Sequence, residues 1–133
     1  MKLVLTLISA AALGATAMVA TANQADRRAA MKEVGAAAKA IRGGTDVAAN
    51  AQKIADIAAQ IPAVFELNEV TGDSAALPAI WQNWDDFTAK GKDLENAALA
   101  IVDAANNGGD LAAAGKALGG TCGTCHKSYK APD

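Results

Sequence analysis

The sequence predicts an all-α fold, an antiparallel four-helix bundle, on three observations. Alanine dominates the chain and β-branched residues are sparse, which favours helix over strand. Apolar residues recur three and four positions apart in four segments. Short breaks containing glycine, proline and asparagine separate these segments, and short connections favour antiparallel neighbours.

The first predicted helix is capped by Asn23 or Asp26 and runs to Arg42, where Gly43-Gly44 stops it. Its inward stripe has the three-four spacing of a helix face: Arg27, Met31, Val34, Ala38 and Ile41. The second predicted helix is capped by Thr45 or Asp46 and limited by Pro62, and residues 63–77 form a looser stretch. Its apolar face contains Val47, Ile54, Ile57 and Ile61.

Pro78 is suited to the first turn of the third predicted helix, which continues until residues 106–109 end it. This helix has the clearest apolar repeat in the chain: Ile80/Trp81, Trp84, Phe87, Gly91, Leu94, Ala98, Ile101 and Ala105. Asp110 begins the fourth helix. Its inward face runs through Leu111, Ala114, Leu118, Cys122, Cys125 and Tyr129.

Residues 1–22 have the layout of a secretory signal peptide. Lys2 precedes an apolar, alanine-rich run that closes on Ala20-Thr21-Ala22, a small-x-small cleavage sequence. An uncleaved membrane anchor is the alternative, because the run barely reaches the roughly 20 apolar residues that a span needs. We therefore expect residues 23–133 to form one exported, periplasmic domain with no membrane span.

Charge excludes one class of partner. Removing the signal peptide takes away Lys2 and no acid, so eleven basic residues remain against fourteen acidic ones. Nucleic-acid binding usually needs a concentrated basic face, and we expect no such partner.

The chemistry of the chain lies at Cys122-Gly123-Thr124-Cys125-His126. Two thiols three residues apart share one face of a helical turn, where each can add to a haem vinyl group. His126 then binds the iron, and this C-x-x-C-H pattern is the attachment signature of c-type haem. Such attachment happens outside the cytoplasm, in agreement with the signal peptide. The sequence therefore predicts one covalently bound haem c.

Other interpretations of the two cysteines fit less well. A structural zinc site needs four ligands, and the chain has two cysteines and one histidine, so a carboxylate would have to be the fourth. A redox-active dithiol needs a βαβ setting, and no strand is predicted. A disulfide between Cys122 and Cys125 would close a very small loop and stabilise little. A haem would also fill a core that contains only two Trp, two Phe and one Tyr.

Met31 is the only methionine that remains after the signal peptide, and His126 is the only histidine. If the iron has a second protein ligand of the His/Met kind, that ligand is Met31. The alternative is that Met31 only fills the core, a common role for methionine.

Two basic residues are candidates for the haem propionates. Arg27 precedes Met31 by one helical turn and projects from the same side, although it could equally be a solvated arginine. Lys130 lies one turn beyond His126, where a cation also stabilises a helix C-terminus without any haem contact.

These residues resemble the class II cytochromes c, the family of cytochrome c', over essentially the whole chain after residue 22. The resemblance depends on the Cys122–His126 motif with Tyr129-Lys130 near the C-terminus, on Leu77-Pro78-Ala79-Ile80-Trp81 with Trp84 and Phe87, and on Arg27 with Met31. It implies a four-helix bundle, often dimeric, with haem at one end. It also implies a propionate contact for Arg27 and a position at the haem edge for Trp81, which could instead be plain core.

The family has two branches, and the resemblance implies one function for each. The Arg-Arg-Ala-Ala-Met-Lys sequence at 27–32 is similar to the low-spin branch, an electron carrier with His126 and Met31 as axial ligands. The alternative is the high-spin branch, whose open iron face binds nitric oxide or carbon monoxide. Our main prediction is an electron carrier that serves redox partner proteins and is not an enzyme. A homodimer is compatible with the alanine-rich faces of the first two helices.

Overall fold

The computed structural model describes residues 24–133, so the predicted signal peptide and Asn23 lie outside the described residues. Six helices follow in order: α1 (Gln24–Arg42), α2 (Val47–Ala59), α3 (Ile61–Phe65), α4 (Ala79–Gln82), α5 (Trp84–Asn107) and α6 (Leu111–Tyr129). The four long ones, α1, α2, α5 and α6, confirm the predicted four-helix bundle. Within the described range, extended backbone pairs only at an isolated antiparallel bridge between Ala76 and Lys130.

Local chemistry explains where the long helices end. Gly44 (φ 73°) follows α1 and Gly108 (φ 71°) follows α5, both in the left-handed region that glycine enters without steric cost. The Asp110 carboxylate accepts a hydrogen bond from the Ala113 amide (2.9 Å) and so caps α6 as predicted. Asp46 occupies the N-cap position of α2, which is one of the two predicted positions. Its side chain makes no capping hydrogen bond, so the predicted side-chain cap is wrong.

The third predicted helix is interrupted, which the sequence did not indicate. Asn83 adopts φ −126° and ψ 48° between α4 and α5. Its backbone amide (2.9 Å) and its side-chain amide (3.1 Å) both donate to the carbonyl of Ala79. Asparagine commonly competes with helical hydrogen bonding in this way. The break sets α4 apart from α5 at the start of the bundle.

The best-packed part of the bundle lies between α2 and α5, which contact each other more extensively than any other helix pair. Four of its residues are completely buried: Ala51, Ile54, Ala98 and Ile101. Small side chains let the two backbones approach. Beside this pair, α5 also lies close to α3: a Cβ on Gly91 would be only 3.3 Å from Cγ2 of Ile61, so a larger residue there would crowd that side chain.

The outer helices are arranged differently. α1 packs on α2 and α6 packs on α5, but α1 and α6 make no extensive contact with each other. Two predicted inward positions are also off by one residue, since Ala37 and Ala104 are buried while Ala38 and Ala105 are only half-buried. Within residues 24–133, no helix has both the length and the apolar character that crossing a bilayer would require.

Candidate functional site

A cavity of about 430 Å³ lies between α1 and α6, at the end of the bundle where α1 begins and α6 ends. This volume falls within the range of about 300–1,000 Å³ that is typical of small-molecule sites. Most of its surface is apolar. It is lined by Gln24, Arg27, Arg28, Met31, Ile61, Phe65, Asp73, Ser74, Ala75, Ala76, Ile80, Phe87, Cys125, His126, Tyr129 and Lys130.

The last two turns of α6 carry the haem-attachment motif to this cavity. Cys125 and His126 line it, and both cysteines are free thiols. Cys122 is half-buried against the hydrophobic core, and its thiol donates to the Leu118 carbonyl (3.5 Å). The helix thus brings Cys125 and His126 together at the wall and sets Cys122 one turn back.

Electrostatics favour the uncharged forms of the motif. Burial raises the pKa of the Cys125 thiol above its ordinary value. Burial also lowers the pKa of His126, with a further lowering from the nearby cation of Lys130. A neutral imidazole is the form that binds a metal. The lowered pKa therefore favours the form of His126 that can bind a metal ion.

Met31 lies on α1, across the cavity from the motif, and is half-buried. Ile61 and Phe65 of α3 and Ile80 of α4 line the cavity with it. The structure therefore brings the two predicted axial residues, His126 and Met31, to walls formed by different helices around one apolar space. Whether Met31 binds the iron stays a prediction.

Arg27 is buried, with 4% of its surface exposed, and its guanidinium is largely occupied by the chain itself. It donates to the carbonyls of Val64 (3.3 Å), Glu69 (2.7 Å) and Leu67. Its central carbon also lies 5.2 Å from the ring centroids of both Phe65 and Trp81. Burial lowers the pKa of Arg27. The residue holds the loop after α3, and its propionate contact stays a prediction.

The other two predicted haem contacts differ in position. Lys130 lines the cavity, and its ammonium donates to the Asp133 carboxylate (2.6 Å) and to the Ala131 carbonyl (3.2 Å). Trp81 does not line this cavity. Its indole N–H donates to the Phe65 carbonyl (2.8 Å), and its ring borders a separate groove beside Trp84. The Trp81 ring thus packs against Arg27, which lines the cavity, and does not line the cavity itself.

Sequence reasoning missed an ion pair at the cavity. Arg28, on the first turns of α1, contacts the Asp73 carboxylate at 2.7 Å and also donates to the Asp73 carbonyl (2.8 Å). Both residues line the cavity. No local pattern links two residues 45 positions apart. Nothing in the sequence distinguished Arg28 from the neighbouring Arg27 as the partner of an acid.

A second missed group joins α5 to α6. Tyr129 is buried, lines the cavity, and donates from its hydroxyl to the Asp86 carboxylate. This hydrogen bond raises the pKa of Tyr129 to about 12 and lowers the pKa of Asp86. Lys90, one turn along α5, contacts the other Asp86 oxygen at 3.3 Å.

Comparison with known proteins decides the family. The family model described as "Cytochrome C'" matches residues 18–130, which is most of the chain. The chain belongs to the cytochrome c' family.

Individual relatives agree with this assignment. Cytochrome c-554 of Cereibacter sphaeroides is 40% identical over 66% of this chain and 68% of its own length. Cytochrome c' of Rhodospirillum rubrum is 41% identical over 62% of this chain and 58% of its own length. The matched segments of the first four curated relatives thus span from about half to two thirds of those proteins.

Solved structures share the fold. Cytochrome c' of Rhodopseudomonas palustris is 30% identical, with a TM-score of 0.71 over 82% of this chain and 95% of its own. The crystal structure of cytochrome c' from Thermochromatium tepidum gives a TM-score of 0.74 over 85% of this chain and all of its own, at 24% identity. The predicted bundle and the resemblance to class II cytochromes c are therefore confirmed.

Family membership also makes this a haem c protein, as the sequence predicted. The described residues fit that group, because two free thiols one turn apart, a neutral imidazole and an apolar cavity meet at one end of the bundle. The comparisons support the open-faced alternative, a cytochrome c' that binds gas, better than our main prediction of His126/Met31 ligation. The comparisons do not test the roles predicted for the individual site residues.

Proposed function

We propose that the chain is an exported cytochrome c' whose haem is linked to Cys122 and Cys125, with His126 on one face of the iron and the other face open to nitric oxide or carbon monoxide. The supporting observation is the apolar cavity, which has His126 in one wall and the aliphatic and aromatic side chains of α1, α3 and α4 in another. Bound there, the haem supplies a one-electron iron centre that can also take a small neutral gas molecule.

The protein's own residues have three tasks in this proposal. The two thiols hold the group covalently, so that it is retained through changes of redox state. The imidazole of His126 supplies the ligand, and its low pKa keeps the nitrogen lone pair available at neutral pH. The apolar walls exclude water and favour uncharged molecules. These tasks describe a carrier or binding protein, not an enzyme.

One observation favours a second candidate, the electron carrier with Met31 as the sixth ligand. Met31 lines the same cavity as His126 but belongs to a different helix. A thioether is a neutral, soft donor that raises the reduction potential relative to harder ligands. In this second function the described residues would keep both axial positions filled and limit rearrangement on electron transfer.

The visible and EPR spectra of the haem-loaded protein in both oxidation states separate the two functions. We expect a high-spin ferric signal and a spectral shift when nitric oxide or carbon monoxide is added to the reduced protein. A low-spin ferric signal with the weak far-red band of methionine coordination would replace the gas-binding proposal with the electron carrier.

Met31→Leu and Met31→Ala sharpen that result. Leucine keeps the apolar bulk and removes the sulfur, so an open-faced iron predicts an unchanged resting spectrum in Met31→Leu. Met31→Ala should then enlarge the cavity and change only gas affinity. If Met31 is a ligand, both variants become high-spin and their reduction potential falls, because the soft sulfur donor is lost.

Export is a further part of the proposal and has its own test. Residues 1–22 predict cleavage after Ala22 and delivery to the periplasm. N-terminal sequencing of the protein from a periplasmic extract should begin at Asn23. A chain recovered from the membrane fraction with Met1 or Lys2 at its start would instead support the anchor.

A further inference from the structure

Asp86 makes an unusual pair of contacts for a residue in the first turn of α5. Its side chain is 56% exposed, yet one carboxylate oxygen accepts the hydroxyl hydrogen of the buried Tyr129. The other oxygen contacts the ammonium of Lys90 at 3.3 Å. A hydrogen bond to an ionised carboxylate is stronger than one between neutral groups. Asp86 is therefore a firm attachment point for the end of α6.

Tyr129 is held on three sides. Its hydroxyl contacts Asp86, and its ring packs edge-on against Phe87, with centroids 5.3 Å apart at 83°. Its carbonyl accepts the amide hydrogen of Leu77 (3.0 Å), next to the bridge that joins Ala76 and Lys130. Tyr129 thus connects the last turn of α6 to both α5 and the loop before α4.

The position of Tyr129 relates it directly to the attachment motif. It lies three residues after His126 and four after Cys125, and residues at these spacings share one face of a helix. All three line the cavity. The amide of Lys130 donates to the His126 carbonyl (3.1 Å), so the turn that bears His126 is the turn that Tyr129 anchors.

We propose that Asp86 is a positioning residue for His126: by holding the Tyr129 hydroxyl, it fixes the turn of α6 from which His126 reaches the haem iron. The inference rests on the proposed ligation by His126, and it holds for either sixth-position function. Partners beyond the ligands commonly orient the ligands of metal sites in this way. Here the partner acts through a neighbouring side chain on the same helix face.

The test uses the haem-loaded protein and four single variants. Asp86→Ala removes the acceptor, Tyr129→Phe removes the donor, and Asp86→Asn keeps an acceptor oxygen without the charge. Asp85→Ala is the matched control, since Asp85 is an exposed acid in the same turn whose carbonyl, not its carboxylate, accepts from Thr88 (3.1 Å). The measurements are the iron–histidine stretching band of the reduced protein and amide hydrogen exchange across residues 122–130.

We expect Asp86→Ala and Tyr129→Phe to shift or broaden the iron–histidine band and to speed exchange in the last turn of α6 about tenfold. The double variant Asp86→Ala/Tyr129→Phe should show little more effect than either single variant, because the two changes remove the same hydrogen bond. Asp86→Asn keeps an acceptor but loses the charge that strengthens the bond, so its effect should fall between the parent and Asp86→Ala. Asp85→Ala should stay close to the parent. Tyr129→Phe keeps the ring, so it tests the inference even if Asp86→Ala fails to fold.

Three outcomes would overturn the inference. An unchanged band in Asp86→Ala and Tyr129→Phe, with only a lower melting temperature, would show that the pair stabilises the packing of α6 on α5 and does not position His126. A shifted band in Asp86→Ala together with an unchanged band in Tyr129→Phe would assign the effect to the charge of Asp86 and not to its hydrogen bond with Tyr129. A parent protein with five-coordinate reduced haem but no iron–histidine band would remove the proposed ligation itself, which separates that failure from the first two.

Discussion

The two ends of the bundle are built from different side chains. The end where α1 meets α2 is closed by alanine and isoleucine, and its residues Ala51 and Ile101 are completely inaccessible to solvent. The other end contains every aromatic residue of the chain and the cavity: Phe65, Trp81, Trp84, Phe87 and Tyr129. Close packing of small side chains completes the first end. The second end encloses a space sized for a ligand.

The aromatic rings support that space as a connected group. Phe87 is at its centre, 5.1 Å from Phe65, 5.3 Å from Tyr129 and 5.8 Å from Trp84 between ring centroids. Such pairs add about 0.5–1.5 kcal/mol each beyond the area they bury. Rings on α3, α5 and α6 therefore hold together an end of the molecule where α1 and α6 do not pack on each other. The difference predicts that the two ends respond differently to damage.

Loss of covalent attachment should have the largest effect, confined to the cavity end. The double variant Cys122→Ala/Cys125→Ala removes both thiols, so haem should no longer stay with the chain on a denaturing gel. We expect faster hydrogen exchange in residues 122–130 and 61–65, with slow exchange kept around Ile54 and Ile101.

Thr124→Ala is the control for this variant, since Thr124 lies in the same motif and only donates to the Gly120 carbonyl (2.9 Å). It should keep its covalent haem. A haem-free double variant that melts as sharply as the parent would show that the cavity end needs no ligand to complete it.

A cavity at the closed end should lower stability without touching the haem. Ile101 has no exposed surface, so Ile101→Ala should reduce the free energy of unfolding by about 2–5 kcal/mol. Urea unfolding measures this loss, and the visible spectrum should not change. Leu99→Ala, at a residue that is 39% exposed, should cost about 0.5 kcal/mol or less. A spectral change in Ile101→Ala would show that the ends are coupled.

Glycine substitutions test the boundary between the two ends, and we expect their effect to be the smallest. A Cβ at Gly91 would crowd Ile61, which lines the cavity, whereas one at Gly35 would meet nothing within 4 Å. Overpacking costs about 1–3 kcal/mol and alanine gains about 0.5–1 kcal/mol in a helix. Gly91→Ala should therefore lower the free energy of unfolding by about 1 kcal/mol and Gly35→Ala should raise it slightly. Equal melting temperatures in the two variants would contradict the close approach.

Local patterns were sufficient to predict the four long helices and the motif. The Gly43-Gly44 stop and the Asp110 cap depend on neighbouring residues alone, and both were predicted at the right place. C-x-x-C-H is likewise contiguous, so its chemistry could be identified without a structure. The break at Asn83 was missed because the apolar repeat continues through it, although its cause, an asparagine bonding back to Ala79, is local.

Contacts between distant segments could not be predicted. Arg27 projects from α1 as expected, but its acceptors are carbonyls about 40 residues later, and backbone carbonyls leave no mark in a sequence. Asp86 and Tyr129 are 43 residues apart for the same reason. Trp81 is predicted at the haem edge; its indole N–H donates to the Phe65 carbonyl and its ring lies 5.2 Å from the central carbon of Arg27, two contacts that no local pattern indicated, and the haem-edge position stays a prediction.

The sparse contact between α1 and α6 has a consequence for movement. Within residues 24–133 the long helices contact one another in chain order, α1 on α2, α2 on α5 and α5 on α6, so one of the four sides that a closed bundle would have is left without extensive helix packing. Separating α1 from α6 therefore breaks few interhelical contacts, while the α2–α5 core is undisturbed. The width of the cavity is therefore not set by extensive packing of α1 against α6.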